Sequence, residues 1–263
     1  MRPSPSWLLQ LAVTLLTAAF LIIPALQSIL AGFTSNYFRG LSSGLTLKWL
    51  GEVWDLYAHS IFLSLWLAAA CLFFTLVIGV PAAYALARNP GRLSRVLEEF
   101  ISLPLAVPGL ALALALLQLY GSMSGFRTSW AFILVGHVLY TLPFMVRAVL
   151  AVLLAMDLKT LEEGAATLGA APWTRFRTVV VPNALPGILA GALTVVTLSI
   201  GEFNLTWMLH TPYLKTLPVG LADSYASMRL EIASAYTLVF FVMIVPLLVA
   251  MQWASDRARR ITQ

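Results

Sequence analysis

Six apolar runs dominate this chain, and their length limits the folds open to it. They lie near Trp7–Ala31, His59–Ala87, Phe100–Gly121, Ser129–Leu154, Asn183–Trp207 and Ala235–Ala254. Each reaches the roughly 20 residues that a helix needs to cross about 30 Å of hydrocarbon. In that medium every backbone N–H and C=O must be satisfied within the protein, so runs of this kind read as transmembrane helices. Composition agrees: 60% of the 263 residues are hydrophobic, 10% are charged, and the mean hydropathy is +0.88. A soluble domain carries about 25% charged residues. The first run follows Arg2 and has the outline of a secretory signal. At about 25 residues it exceeds the usual apolar core of about 7–15, and it reads as an uncleaved helix.

The net charge of +5 raises the possibility of nucleic-acid binding, but the basic residues sit at the ends of the spans, so no nucleic-acid partner is expected. With the N-terminus in the cytoplasm, that side receives ten: Arg2, Arg88, Arg92, Arg95, Lys159, Arg175, Arg177, Arg257, Arg259 and Arg260. The other side receives five: Arg39, Lys48, Arg127, Lys215 and Arg229. This bias predicts that both termini are cytoplasmic. Pro104, Pro108 and Gly109 predict a bent start to the third span. Gly187 and Gly191 predict close helix approach. Cys71, the single cysteine, lies in an apolar run and reads as a small buried hydrophobe.

The stretch from Asp157 to Pro182 is the only long connection on the cytoplasmic side, and it reads as helical. Thr160-Leu161-Glu162-Glu163 has the form of a capping box. The Thr160 hydroxyl would accept from the Glu163 amide, and the Glu163 side chain would reach back. Leu161, Ala165 and Leu168 fall at i, i+4 and i+7 as a narrow apolar stripe. Gly169 is placed to end the helix and Pro172 to open the next. Trp173, Phe176 and Val180 continue an apolar face to Pro182 and Pro186. Two readings fit: a helix resting on lipid headgroups, or a small-faced knob whose Gly164, Ala165 and Ala166 let another protein approach the backbone.

Glu163-Gly164-Ala165, three residues, Gly169, nine residues, then Val179-Val180-Val181-Pro182 resembles the "EAA" loop of type I ABC importer permeases. That family's pattern is Glu-Ala-Ala, three residues, Gly, nine residues, Ile-x-Leu-Pro. Gly164 replaces Ala, and Val179 and Val181 replace Ile and Leu. The resemblance runs from about His59 to Ala254. It implies an all-α membrane protein with six transmembrane helices, a five-helix core and a cytoplasmic coupling helix. It further implies an N-terminal helix and loop over residues 1–58, a transport domain over 59–255 and a basic tail over 256–263. The location implied is a bacterial inner membrane. By position, Thr160, Leu161, Glu163, Gly164, Ala165, Leu168 and Gly169 would contact a groove of an ATP-binding cassette subunit dimer, with Leu161 and Leu168 as apolar anchors. A second permease subunit, identical or homologous, and an extracytoplasmic substrate-binding protein complete the expected partners.

No Walker A, HExxH or GxSxG pattern occurs, so no catalytic residue, metal or cofactor is expected. Ionisable groups within spans usually face an interior or a water-filled path. Glu202 is the leading candidate to line such a path, with Asn204 and Trp207 nearby and His137 in span four; it would attract a cation. The alternative for Glu202 is a structural carboxylate. Arg147 reads as an interface anchor that snorkels, and His137 as a satisfied packing residue. Gly201-Glu202-Phe203 and Lys215–Gly220 resemble the subgroup of permeases for polyamines, aminoalkylphosphonates, iron, thiamine or sulfate-like anions. Thr46–Trp49 resembles the polyamine members, although Gly201 leaves their acidic pair half matched. The reading from another class is an ion-coupled secondary transporter or channel, which would show internal repeats and a relay of intramembrane charges.

Overall fold

The computed structural model describes residues 5–261; Arg2, counted in the charge argument, lies outside them. The chain is almost entirely helical: α1 (Pro5–Ala31), α2 (Lys48–Arg88), α3 (Arg92–Ala106), α4 (Gly109–Tyr120), α5 (Ser124–Arg127) and α6 (Trp130–Ala155) form the first part. Then follow α7 (Leu158–Thr167), α8 (Pro172–Arg175), a π-helical turn (Phe176–Val180), α9 (Val181–Gly201), α10 (Asn204–Leu209), α11 (Leu217–Ala226) and α12 (Leu230–Ile261). Among the described residues, five helices are long and apolar enough to cross a membrane, and a sixth crossing exists if the bent α3–α4 pair counts as one.

The chain divides into two compact units: residues 1–58 with 220–243, and residues 59–219 with 244–263. In the first, the Gly32 backbone lies directly against Ala235 of α12. Trp49 Nε1 donates to the Thr34 carbonyl (2.9 Å), and the Tyr57 and Tyr236 rings meet edge to face at 4.9 Å. In the second, the core is built from α2, α4, α6, α9 and α10, with Leu67, Cys71, Phe132, Met145, Val149, Val195 and Leu205 fully enclosed. The α6–α9 pairing is the most extensive. It depends on Gly187 and Gly191: a Cβ at Gly187 would fall 2.6 Å from the Ala148 carbonyl oxygen. Small residues matter here because lipid tails solvate leucine as well as another leucine does, so close backbone approach supplies the packing energy.

Two expected spans are broken. The third is not one helix over Phe100–Gly121: α3 begins earlier, at Arg92, and meets α4 at 104°. Val107 is extended (φ −98°, ψ 127°), as the ring of a following proline demands, and Pro108 then stands at the N-cap of α4. The fifth does not continue to Trp207. Helix α9 stops at Gly201, Glu202 is extended, and α10 restarts at Asn204.

Candidate functional site

Helix α7 lies in the second unit with one face exposed and Leu158 and Glu162 buried on the other. The expected capping box is not the one formed. Asp157 is the N-cap, and its carboxylate accepts from Thr160 N (3.3 Å) and Thr160 Oγ1 (2.6 Å). Thr160 therefore sits at N3, where its amide is one of the orphan donors of the first turn. Glu163 lies a full turn too far along to reach back, and it pairs with Lys159 instead (3.8 Å). These two donors hold the exposed Asp157 carboxyl below the ordinary aspartate range.

The helix ends at Gly169, as its position predicts. Gly169 has φ +81°, its N–H donates to Ala166 O, and Ala170 N–H donates to Ala165 O. This pair of bonds is a Schellman closure, which needs a left-handed residue at that point. Pro172 then opens α8. Leu161 is 42% exposed and Leu168 89%, so both ends of the Leu161–Ala165–Leu168 stripe face away from the chain, with Ala165 half-buried between them. Gly164 is open on its outer side. Thr160, Glu163 and Gly169 are exposed as well.

The face turned inward carries Leu158 and, unexpectedly, Glu162, which is 4% exposed. Its carboxylate accepts a short hydrogen bond from Tyr84 Oη and an ion pair from Arg88 Nε (3.3 Å), both at the end of α2. Tyr84 packs against Phe176 (5.3 Å), and Phe176 stacks on Trp173 (5.5 Å). The loop helix is thus fastened to α2 by charge, and α2 is in turn joined to the π-turn by aromatic contact. A cleft of about 270 Å³ beside it is lined by Arg88, Lys159, Glu162, Glu163 and Arg175. The one available signal for Glu162 was its i+4 spacing from Leu158, which puts an acid on the helix's apolar inner side.

The residues expected near a path are brought together differently. Glu202 is 9% exposed and His137 1%. The Glu202 carboxylate accepts from Leu205 N (2.9 Å), Thr206 N (2.8 Å) and Thr206 Oγ1 (2.8 Å), which caps the restarted helix α10. His137 bridges Ser199 Oγ (2.9 Å) and Thr206 Oγ1 (2.8 Å), and Thr141, next along α6, meets Cys71 Sγ at 3.1 Å. A Cβ at Gly109 would stand 3.7 Å from Glu202 Oε1, so the N-terminus of α4 also abuts the carboxylate. Helix N-termini carry partial positive charge, which helps to hold an acid that forms no ion pair with Lys or Arg among the described residues. Asn204 is exposed, and Trp207 is half-buried between Phe203 and His210. The polar atoms of Glu202 and His137 thus belong to one buried network that also holds Ser199 and Thr206. Arg147 is exposed, and its Nε donates to Ser102 Oγ on α3 (3.1 Å).

Residues 76–260 match the family described as the binding-protein-dependent transport system inner membrane component. The chain belongs to this family. It is an importer permease subunit, a multi-pass protein of the bacterial inner membrane, as the spacing of its loop motif implied. Among its relatives, the molybdenum transport system permease protein ModB of Azotobacter vinelandii is 32% identical over 210 residues, 74% of this permease and 92% of that protein. The protein named as a 2-aminoethylphosphonate transport system permease, PhnV, of Salmonella typhimurium is 27% identical over 93% of this permease and 92% of its own length. The putrescine transport system permease protein PotI of Escherichia coli is 27% identical over 82% and 79%. Two solved structures share the permease fold. The MetNI methionine ABC transporter, inward facing, aligns over 81% of this chain and 99% of that one at 22% identity, with a TM-score of 0.65. A bacterial ABC transporter for alginate covers 98% and 96% at 17% identity, with a TM-score of 0.71.

Proposed function

We propose that this permease forms half of the translocation path of an ATP-driven importer and couples to ATP hydrolysis in a separate subunit through α7. One observation carries the reading. Helix α7 is capped at both ends and fastened from behind by Glu162, yet presents Leu161, Gly164 and Leu168 to the outside. A helix that only rested on headgroups has no need of a buried carboxylate anchor. A helix that transmits force does, because a load on its outer face must reach α2 and α9 without being absorbed by slack. The path is completed by a second permease subunit, two ATP-binding cassette subunits dock beneath, and an extracytoplasmic binding protein delivers the cargo. Residues 59–255 act as the transport domain behind an N-terminal helix, and both termini lie in the cytoplasm. The family match supports this arrangement, as do relatives named for molybdenum, 2-aminoethylphosphonate and putrescine transport. The cargo is accordingly a small solute.

Gly164→Leu tests the docking directly. A Cβ at this position meets nothing within 4 Å of its own chain, so the permease should fold normally while a partner seated there is pushed away. Co-purification of the cognate ATPase subunit should fall about tenfold, the equivalent of losing about 1.4 kcal/mol of contact, and ATP-dependent uptake should fall with it. Unchanged assembly together with unchanged uptake would remove α7 from the interface.

A further inference from the structure

We infer that Arg147, positioned by Ser102, lines the translocation path and receives an anionic cargo, so that the importer carries a small oxyanion or phosphonate and not a polyamine. The inference rests on the importer reading above and assigns the substrate class within it.

Arg147 lies eight residues before the end of the 26-residue α6. At 1.5 Å per residue that is roughly 12 Å from the helix end, which places it within the hydrocarbon layer of a spanning helix. Its neighbours Met145, Val146, Val149 and Leu150 are buried, while Arg147 itself is exposed. Among the described residues no carboxylate comes within ion-pairing distance of it; the ion pairs present are Lys48–Glu52, Arg88–Glu162 and Lys159–Glu163. A guanidinium at this depth with neither an acid nor the surface for company faces water or another polar group.

The side chain also points the wrong way for an interface anchor. Helical side chains lean toward the N-terminus of their helix, which for Arg147 is away from the nearer end. Ser94, Arg95 and Glu98 of α3 lie beside Leu150 and Leu154, so Ser102, two turns further along α3 than Ser94, meets α6 deeper in. Arg147 Nε donates to Ser102 Oγ at 3.1 Å, and this bond holds the group at that depth. One of five N–H donors is used, and the four on the two terminal nitrogens remain as a planar fork. That fork fits two oxygens of a tetrahedral anion at once, a geometry no ammonium reproduces. The acid that would have drawn a cation, Glu202, is already spent on the α10 cap. Among the described residues, the one charged side chain along α4, α6 and α9 is Arg147, so the charge those helices offer a cargo is positive; Glu98 and Glu99 lie on α3.

The test uses the complete importer (permease, ATPase and binding protein) in proteoliposomes, with labelled molybdate, sulfate, 2-aminoethylphosphonate and putrescine as probes. At least one of the three anions should accumulate on ATP addition and putrescine should not. Arg147→Gln should cut that uptake by about tenfold, the loss expected for charge-assisted bonds to an anion. ATPase co-purification should stay unchanged, and Arg147→Lys, which keeps the charge and loses the fork, should fall between the native rate and that of Arg147→Gln. Uptake of putrescine, uptake of none of the anions, or wild-type rates in Arg147→Gln would overturn the inference. So would Arg147→Lys failing as fully as Arg147→Gln, or Arg147→Gln losing its partner subunits, since either would assign the residue to packing or subunit pairing. ATP-driven putrescine uptake would leave the importer reading standing and remove this inference alone, whereas a permease that binds no ATPase would remove the importer reading itself.

Discussion

At the scale of single residues, the chain separates carboxylates that hold structure from those that face outward. Glu162 is the clearest case: it is next to the exposed Glu163 in sequence, yet it is buried against Tyr84 and Arg88. Removing it leaves the half-buried Tyr84 hydroxyl without its acceptor. The Arg88 contribution is smaller, because that side chain is 44% exposed and screened. Glu162→Ala should therefore cost about 1–2 kcal/mol and lower the melting temperature by a few degrees. The Glu162→Ala/Tyr84→Phe pair should be less than additive in thermal unfolding of the purified permease, because both changes break one bond. Full additivity would mean that the two do not interact. Asp157 makes a prediction about pH. Its carboxyl is held below the ordinary aspartate range by Thr160, so the cap stabilises α7 wherever the carboxylate is ionised. That contribution is complete above the ordinary aspartate range and is lost as pH falls through the lowered value. Amide exchange protection of Thr160 and Leu161, corrected for intrinsic rates, should stay level from neutral pH to about pH 5 and decline only in stronger acid. Asp157→Ala should lack it at every pH.

At the scale of elements, breaks in the helices matter as much as the helices. The α9–α10 break is held by a carboxylate, so Glu202→Gln should lower thermal stability by about 1–2 kcal/mol through a weakened cap while leaving the apparent KM for cargo unchanged. A large rise in KM with stability intact would return Glu202 to the path. The α6–α9 seam makes the opposite demand, for absence of side chain. Gly187→Val would drive its Cβ into the Ala148 carbonyl and Val152, and overpacking of this sort costs about 1–3 kcal/mol or more. Its yield as a monodisperse peak in detergent should collapse, whereas Gly201→Ala, which meets nothing within 4 Å, should purify as well as the native chain. The sequence pattern announced both the α3–α4 bend and the close α6–α9 approach, since proline and glycine act through local sterics. It did not announce the break at Glu202, because capping by that residue requires α10 to turn back onto its own carboxylate.

At the scale of the whole molecule, the two compact units differ in how they satisfy their apolar surface. The most apolar stretch of α1 buries none of its residues against the rest of the chain, while those of α2, α6 and α9 each bury 39%. Lipid accepts such a surface at no cost, so α1 needs no internal partner to be stable. Deleting residues 5–31 should leave the unfolding transition of the second unit within about 3 °C of native, because its core contains none of them. A collapse of that transition would show that α1 carries stability the packing does not display. The same reasoning explains why an exposed Leu168 on a loop helix carries more information than an exposed leucine in a span. Outside hydrocarbon, a projecting apolar tip persists where another protein covers it.

Much of this protein was written into the sequence alone. Run length established the helical membrane fold, and the loop motif established the family, because hydrocarbon thickness and motif spacing are one-dimensional constraints. Gly169 and Pro172 marked where the loop helix ends and the next begins, since backbone conformation there depends on the residue itself. What the sequence left open was the role of each charge. Whether Glu162, Glu163, Glu202 or Arg147 faces inward, outward or toward a helix end depends on which elements are packed beside it. Glu202 read as either a path residue or a structural carboxylate, and its carboxylate caps α10; Arg147 read as an interface anchor, and its Nε donates to Ser102 of α3. A charge is stabilised by partners remote in sequence, and only the tertiary structure brings those partners within reach.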